Sequence, residues 1–179
     1  PPPGNAVRHL LLAIDPKQAA AVRRALAALE PGFHGQSDMR RGMLSVGISA
    51  AGLEALGVPR PYRRVFQRLA PAFHLGAPRR SGRLGDVAAS AVSQWDAAFA
   101  QSHAHLLLSW HGCVHWVEAQ VQALLAQWPC SDPRDACYAG ERIGAPPGES
   151  GEWVHFGYRD GISEVQLHGL PSAALDPRP

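Results

Sequence analysis

A chain of 179 residues with 46% apolar and 18% charged side chains can build one good-sized core and falls well outside the disordered class. Its formal charge of +2 gives no reason to expect a nucleic-acid partner, and no run of about twenty apolar residues offers a membrane span. Arg outnumbers Lys sixteen to one, but the Arg residues are scattered apart from short pairs such as Arg23-Arg24, Arg40-Arg41 and Arg79-Arg80, a skew that fits codon bias.

The start, Pro1-Pro2-Pro3-Gly4, lacks the charged and apolar regions of a secretory signal. Val7 to Ile14 is short, apolar and bounded by turn residues, so a buried strand is expected there. Asp15-Pro16 then supplies a capping carboxylate and a proline at the first helical position, with Val22, Leu26 and Leu29 on one apolar face. Met43 to Ile48 predicts a second strand. Ser49 can cap a brief helix carrying Leu53 and Leu56 and closed by Gly57. Tyr62, Val65, Phe66 and Leu69 recur at helical spacing until Pro71 ends or kinks the element. Residues 76–93, rich in Gly, Ala, Ser and Arg, are expected to form a long surface loop.

His105 to Trp110 predicts a third strand. Val114, Val117, Val121, Leu124, Leu125 and Trp128 then mark an amphipathic helix. Ala136 to Ile143 is a fourth strand candidate, and Ala145 to Gly151 is loop. The order strand-helix-strand, insertion, strand-helix-strand is the split βαβ plan of a ferredoxin-like α+β domain, an antiparallel sheet with helices on one face. A single domain over 1–179 is expected, with 60–104 as the insertion. Cys113, Cys130 and Cys137 make an odd count without a framework spacing, so reduced thiols and a cytoplasmic location are expected.

The most informative stretch runs from Trp153 to Ser163. It sets Asp160 in the frame Gly157-Tyr158-Arg159-Asp160-Gly161, with aromatics before it and Ile162-Ser163 after it. Flanking glycines suit a tightly bent backbone, or one pressed close to something flat, and aim the acid from a rigid turn. The stretch resembles the Gly-x-x-Asp-Gly motif of the dye-decolourising peroxidases, haem enzymes that cleave hydrogen peroxide. Phe156, Tyr158, Arg159, Ile162 and Ser163 fit that family's wording; Glu164-Val165 departs from the Gln-Pro that commonly follows. Weaker matches occur in the same order at Gly52 to Pro59, Leu84-Gly85-Asp86, Gln94-Trp95-Asp96 and the strand after His103, so the resemblance spans roughly residues 7–164.

The resemblance implies ferredoxin-like architecture, haem b as cofactor, and hydrogen peroxide with an organic reductant as substrates. It implies Asp160 as the distal acid-base, with Gly157, Gly161, Ile162 and Ser163 along the haem face. In the family the proximal His and the distal Arg come from the second half of the protein, so the chain resembles an N-terminal half. That half would pair with a complementary C-terminal half or self-associate, with neither nucleic acid nor membrane among its partners, and would lack turnover alone. His155 and His168 flank the motif, but both lie much closer to Asp160 than the family's proximal ligand does. Arg159 is expected to be structural.

Other readings stand beside this one. An Asp-Gly pair is commonly a turn whose carboxylate caps backbone N–H groups. A non-catalytic ferredoxin-like binding or interaction module is the alternative function, and a small monooxygenase-like dimeric domain a third. His111-x-Cys113-x-His115 would present three metal ligands on one face of an extended segment, with Cys130, Cys137 or His103 as a fourth. Val114, however, begins a helical stripe inside that cluster, and no metal is expected there.

Overall fold

The computed structural model describes residues 4, 6–29, 42–100, 103–130, 135–141 and 147. The chain divides into two compact units, Pro1–Glu141 and Arg142–Pro179, and every element named below belongs to the first. Strand β1 (Ala6–Leu12) leads through a turn of 3-10 helix at Pro16–Gln18 into α1 (Ala19–Ala28). The expected cap is present: the Asp15 side chain accepts from the Lys17 N–H at 2.9 Å, and Pro16 loses no bond at the first helical position.

Strand β2 (Gly42–Ile48) precedes α2 (Ala50–Ala55), where the Ser49 hydroxyl accepts from the Gly52 N–H at 3.0 Å. Helix α2 ends beside Gly57, whose φ of +79° is the left-handed conformation that glycine adopts cheaply. Helices α3 (Arg60–Leu69) and α4 (Pro71–Leu75) meet at Pro71, which opens the second helix because it cannot continue the first.

Residues 76–93 differ from the expected loop. They contain α5 (Ser81–Leu84) and single turns of 3-10 helix at Pro78–Arg80, Ala88–Ser90 and Val92–Gln94. Pro78 opens the first of these turns, and each of them is too brief to leave a periodic signal. Helix α6 (Ala97–Ala100), strand β3 (Leu106–Gly112), helix α7 (Val114–Leu125) and strand β4 (Ala136–Glu141) complete the order.

The four strands form one antiparallel sheet in the order β2-β3-β1-β4, which is the ferredoxin-like topology. Even-numbered residues of β1 to β3 face the helices: Leu10 and Leu12, Leu106, Leu108 and Trp110 are buried there against Val22, Val117, Val121 and Leu124. Arg8 lies on the same face and pairs with Glu118 of α7 at the edge of the core. Odd-numbered residues face the other way because side chains alternate along a strand.

His105 joins the layers. Its Nδ1 accepts from the Ile14 N–H at 2.8 Å, and its carbonyl accepts from the Ser49 N–H at 3.0 Å. Gly52 of α2 lies so close to that carbonyl that a Cβ on residue 52 would overlap it. That close approach is a physical reason for glycine at position 52. Among the described residues no helix is long and apolar enough to cross a membrane.

Candidate functional site

The residues that the sequence singles out, Asp160 with Gly157, Gly161, Ile162 and Ser163, and His155 and His168 beside them, lie outside the described residues. Within the first unit the side chains gather at two places.

One is a cleft of ≈ 570 Å³ bounded by α2, α3, α4 and the segment around Trp95 and Phe99. Its aromatic wall is built on the Phe66–Phe73 pair, with ring centroids 5.2 Å apart and planes tilted by 52°. Trp95 is held by its indole N–H, which donates to the Ser90 carbonyl at 2.8 Å. The polar rim is organised: Arg63 pairs with Glu54 at 2.9 Å and donates through Nε to the Val58 carbonyl at 3.0 Å. A cavity of this size, mostly apolar with a few oriented polar groups, has the dimensions of a small-ligand site. The sequence marked Gln94-Trp95-Asp96 and the Gly52 to Pro59 pattern, but nothing in their local periodicity said that they border one cavity. The cleft was therefore missed.

The other place is the sheet face away from the helices. The strand register puts Tyr138 of β4, His9 of β1, Ser109 of β3 and Ser45 of β2 in one row across it. His9 Nδ1 and the buried Ser109 hydroxyl are 2.8 Å apart, and the His9 and His111 rings meet edge to face at 5.9 Å. Burial, and secondarily the His9 charge, hold His111 below the usual imidazole range.

At the β4 end of the row, Phe99 stacks on Tyr138 with centroids 6.0 Å apart. The Asp96 carboxylate is lowered chiefly by the Tyr138 hydroxyl and then by the Ala98 N–H; the phenol in turn is pushed up to about 12 by Asp96. Tyr138 Oη is buried without a hydrogen bond of full geometry, so the pair is coupled by proximity of a carboxylate and not by a well-aligned bond.

The extended alternation that would align His111, Cys113 and His115 is interrupted. Strand β3 ends at Gly112 and α7 begins at Val114, so the alternation that would align the three side chains stops between the first and second. Among the described residues no three His, Cys, Asp or Glu side chains converge on a point that could hold a metal ion. The thiols of Cys113, Cys130 and Cys137 are free.

No family model and no curated protein matches the sequence. Solved structures do match the fold. DyP2 from Amycolatopsis aligns with a TM-score of 0.62 at 21% identity, covering 89% of this chain and 34% of that one. A fungal DyP-type peroxidase from Auricularia auricula-judae aligns at 0.66 and 18%, covering 95% and 36%. A dye-decolorizing peroxidase whose heme pocket was engineered for asymmetric sulfoxidation aligns at 0.64 and 18%, again covering 95% and 36%. The fold is that of part of a dye-decolourising peroxidase. The chain spans about a third of the length of each of these structures. The ferredoxin-like reading is thereby shown twice, by strand order and by alignment over about nine-tenths of the chain.

Proposed function

We propose that this chain is the N-terminal part of a haem-dependent peroxidase of the dye-decolourising type. The observation that carries the proposal is the coincidence of two independent facts. The fold aligns with such peroxidases over about nine-tenths of the chain, and the sequence holds Gly157-x-x-Asp160-Gly161 in the family's wording. Haem b, when bound, supplies the oxidation of an organic reductant at the expense of hydrogen peroxide. Asp160 accepts a proton from the oxygen of peroxide that stays and returns it to the oxygen that leaves, so that water departs instead of hydroxide. Gly157 and Gly161 would permit a tight backbone bend against a flat group, which by the family resemblance Ile162 and Ser163 would line. On this reading the proximal His and the distal Arg belong to the part of the enzyme that this chain does not span.

The alternative is a non-catalytic module that binds a ligand or a partner, and the cleft beside Phe66 and Trp95 favours it. Haem titration separates the two. The purified chain, alone and mixed with a complementary C-terminal half, is titrated with haem and followed in the Soret region. A shift that requires both parts supports the peroxidase reading; no shift with either preparation removes it.

A further inference from the structure

The helix α3 is poorly accounted for by the fold, since none of its ten residues is buried. At 3.6 residues per turn, Tyr62, Val65, Phe66 and Leu69 share one face while Arg60, Arg64 and Arg68 share the opposite one. A surface helix ordinarily turns its apolar stripe to the core. Here Phe66 turns towards Phe73 and the cleft, but Tyr62, Val65 and Leu69 are 66%, 50% and 80% exposed.

Charge is concentrated on the same segment. Residues 60–87 hold seven arginines and a single acid, Asp86, although the whole chain carries only +2. Arg63 is tied to Glu54, whereas Arg60, Arg64, Arg68, Arg79, Arg80 and Arg83 have no ion-pair partner among the described residues. Leu84 and Val87, further along the segment, are exposed as well.

We infer that α3 and the arginine-rich turns after it dock on the surface of an anionic lipid bilayer. A stripe of Val, Leu and Tyr backed by a face of unpaired guanidinium groups is the composition of a helix lying in the interfacial plane. The apolar stripe sinks to the acyl boundary and the arginines reach headgroup phosphates. A second copy of the chain would set these same arginines against each other. Nucleic acid would pair with them but leave Val65 and Leu69 in water. The docking is peripheral and needs no spanning helix. It departs from the expectation of no membrane partner, which rested on the lack of a long apolar run.

The test is flotation of the full chain with phosphatidylcholine vesicles and with phosphatidylcholine–phosphatidylglycerol vesicles. Binding is expected only to the second, and it should weaken as salt shortens the Debye length from about 10 Å at 0.1 M to about 3 Å at 1 M. Arg64→Gln and Arg68→Gln should each reduce the partition coefficient about fivefold. Val65→Ser/Leu69→Ser should reduce it further, with unchanged circular dichroism showing that the fold is intact. Equal binding to both vesicle types, no binding to either, or full binding by Val65→Ser/Leu69→Ser would each overturn the inference. So would equally tight binding to a soluble polyglutamate peptide, which would assign the surface to an acidic protein.

Discussion

His9 Nδ1 and Ser109 Oγ meet at 2.8 Å across β1 and β3, on the sheet face that turns away from the helices. Ser109 is buried on that face, and His9 satisfies its hydroxyl. The same imidazole touches His111 edge to face. A proton on His111 therefore has to enter a partly buried site beside a neighbouring imidazole.

Stability should consequently fall on acidification. His111 has a lowered folded-state pKa, chiefly through burial. Below the usual imidazole pKa of about 6.5 the unfolded chain binds a proton that the folded one refuses, so stability rises with pH through that region and is lost as pH falls. Urea titrations at a series of pH values should show this slope, and His111→Gln should flatten it. An unchanged slope in that variant would place the effect elsewhere.

Tyr138 should ionise late for a tyrosine. The Asp96 carboxylate raises its hydroxyl to about 12, where removing a proton puts two negative groups side by side. Tyrosinate absorbance should show a late component that moves back towards about 10 in Asp96→Asn. Since Asp96 is lowered in the folded state, its contribution to stability is present at neutral pH and fades as the carboxylate is protonated in acid.

Two core substitutions test the architecture. Leu108→Ala, at a fully buried position between sheet and helices, should cost about 2–5 kcal/mol in chemical denaturation. Gly52→Ala should also destabilise, although alanine favours helix, because the added methyl meets the His105 carbonyl. A stabilised Gly52→Ala would show that α2 does not pack that closely.

Asp160 is tested in a completed enzyme, with the complementary half supplied. Asp160→Asn should slow the reaction with peroxide about 10²–10⁴-fold, the usual contribution of a general acid-base group, while haem uptake is retained. Gly161→Val should do the reverse and impair uptake, since a β-branched side chain would stand where the backbone has to bend. Stopped-flow rates and Soret titrations read the two effects separately. An unchanged rate in Asp160→Asn would reduce this residue to a turn carboxylate.

Much of the fold was legible in the sequence because short-range physics marks it. Val7 to Ile14, Met43 to Ile48 and His105 to Trp110 are apolar runs of strand length. The Asp15-Pro16 and Ser49 caps announce their helices through side chains that satisfy specific N–H groups, and Gly57 ends α2 through a φ that other residues resist. Their order alone yielded the split βαβ plan. The Asp160 motif is likewise a matter of adjacent residues, so the sequence states it without help. What only the tertiary structure decided are relations between distant residues. The single turns within 76–93 carry too few residues for a period to emerge. The row of Tyr138, His9, Ser109 and Ser45 depends on strand register, and the meeting of Phe66, Phe73, Trp95 and Glu54 around one cleft depends on how α2, α3 and α4 pack. Helical spacing showed that α3 has an apolar stripe, but not that Tyr62, Val65 and Leu69 would be left in solvent. A periodic pattern fixes which side chains share a face, and only packing determines what that face meets.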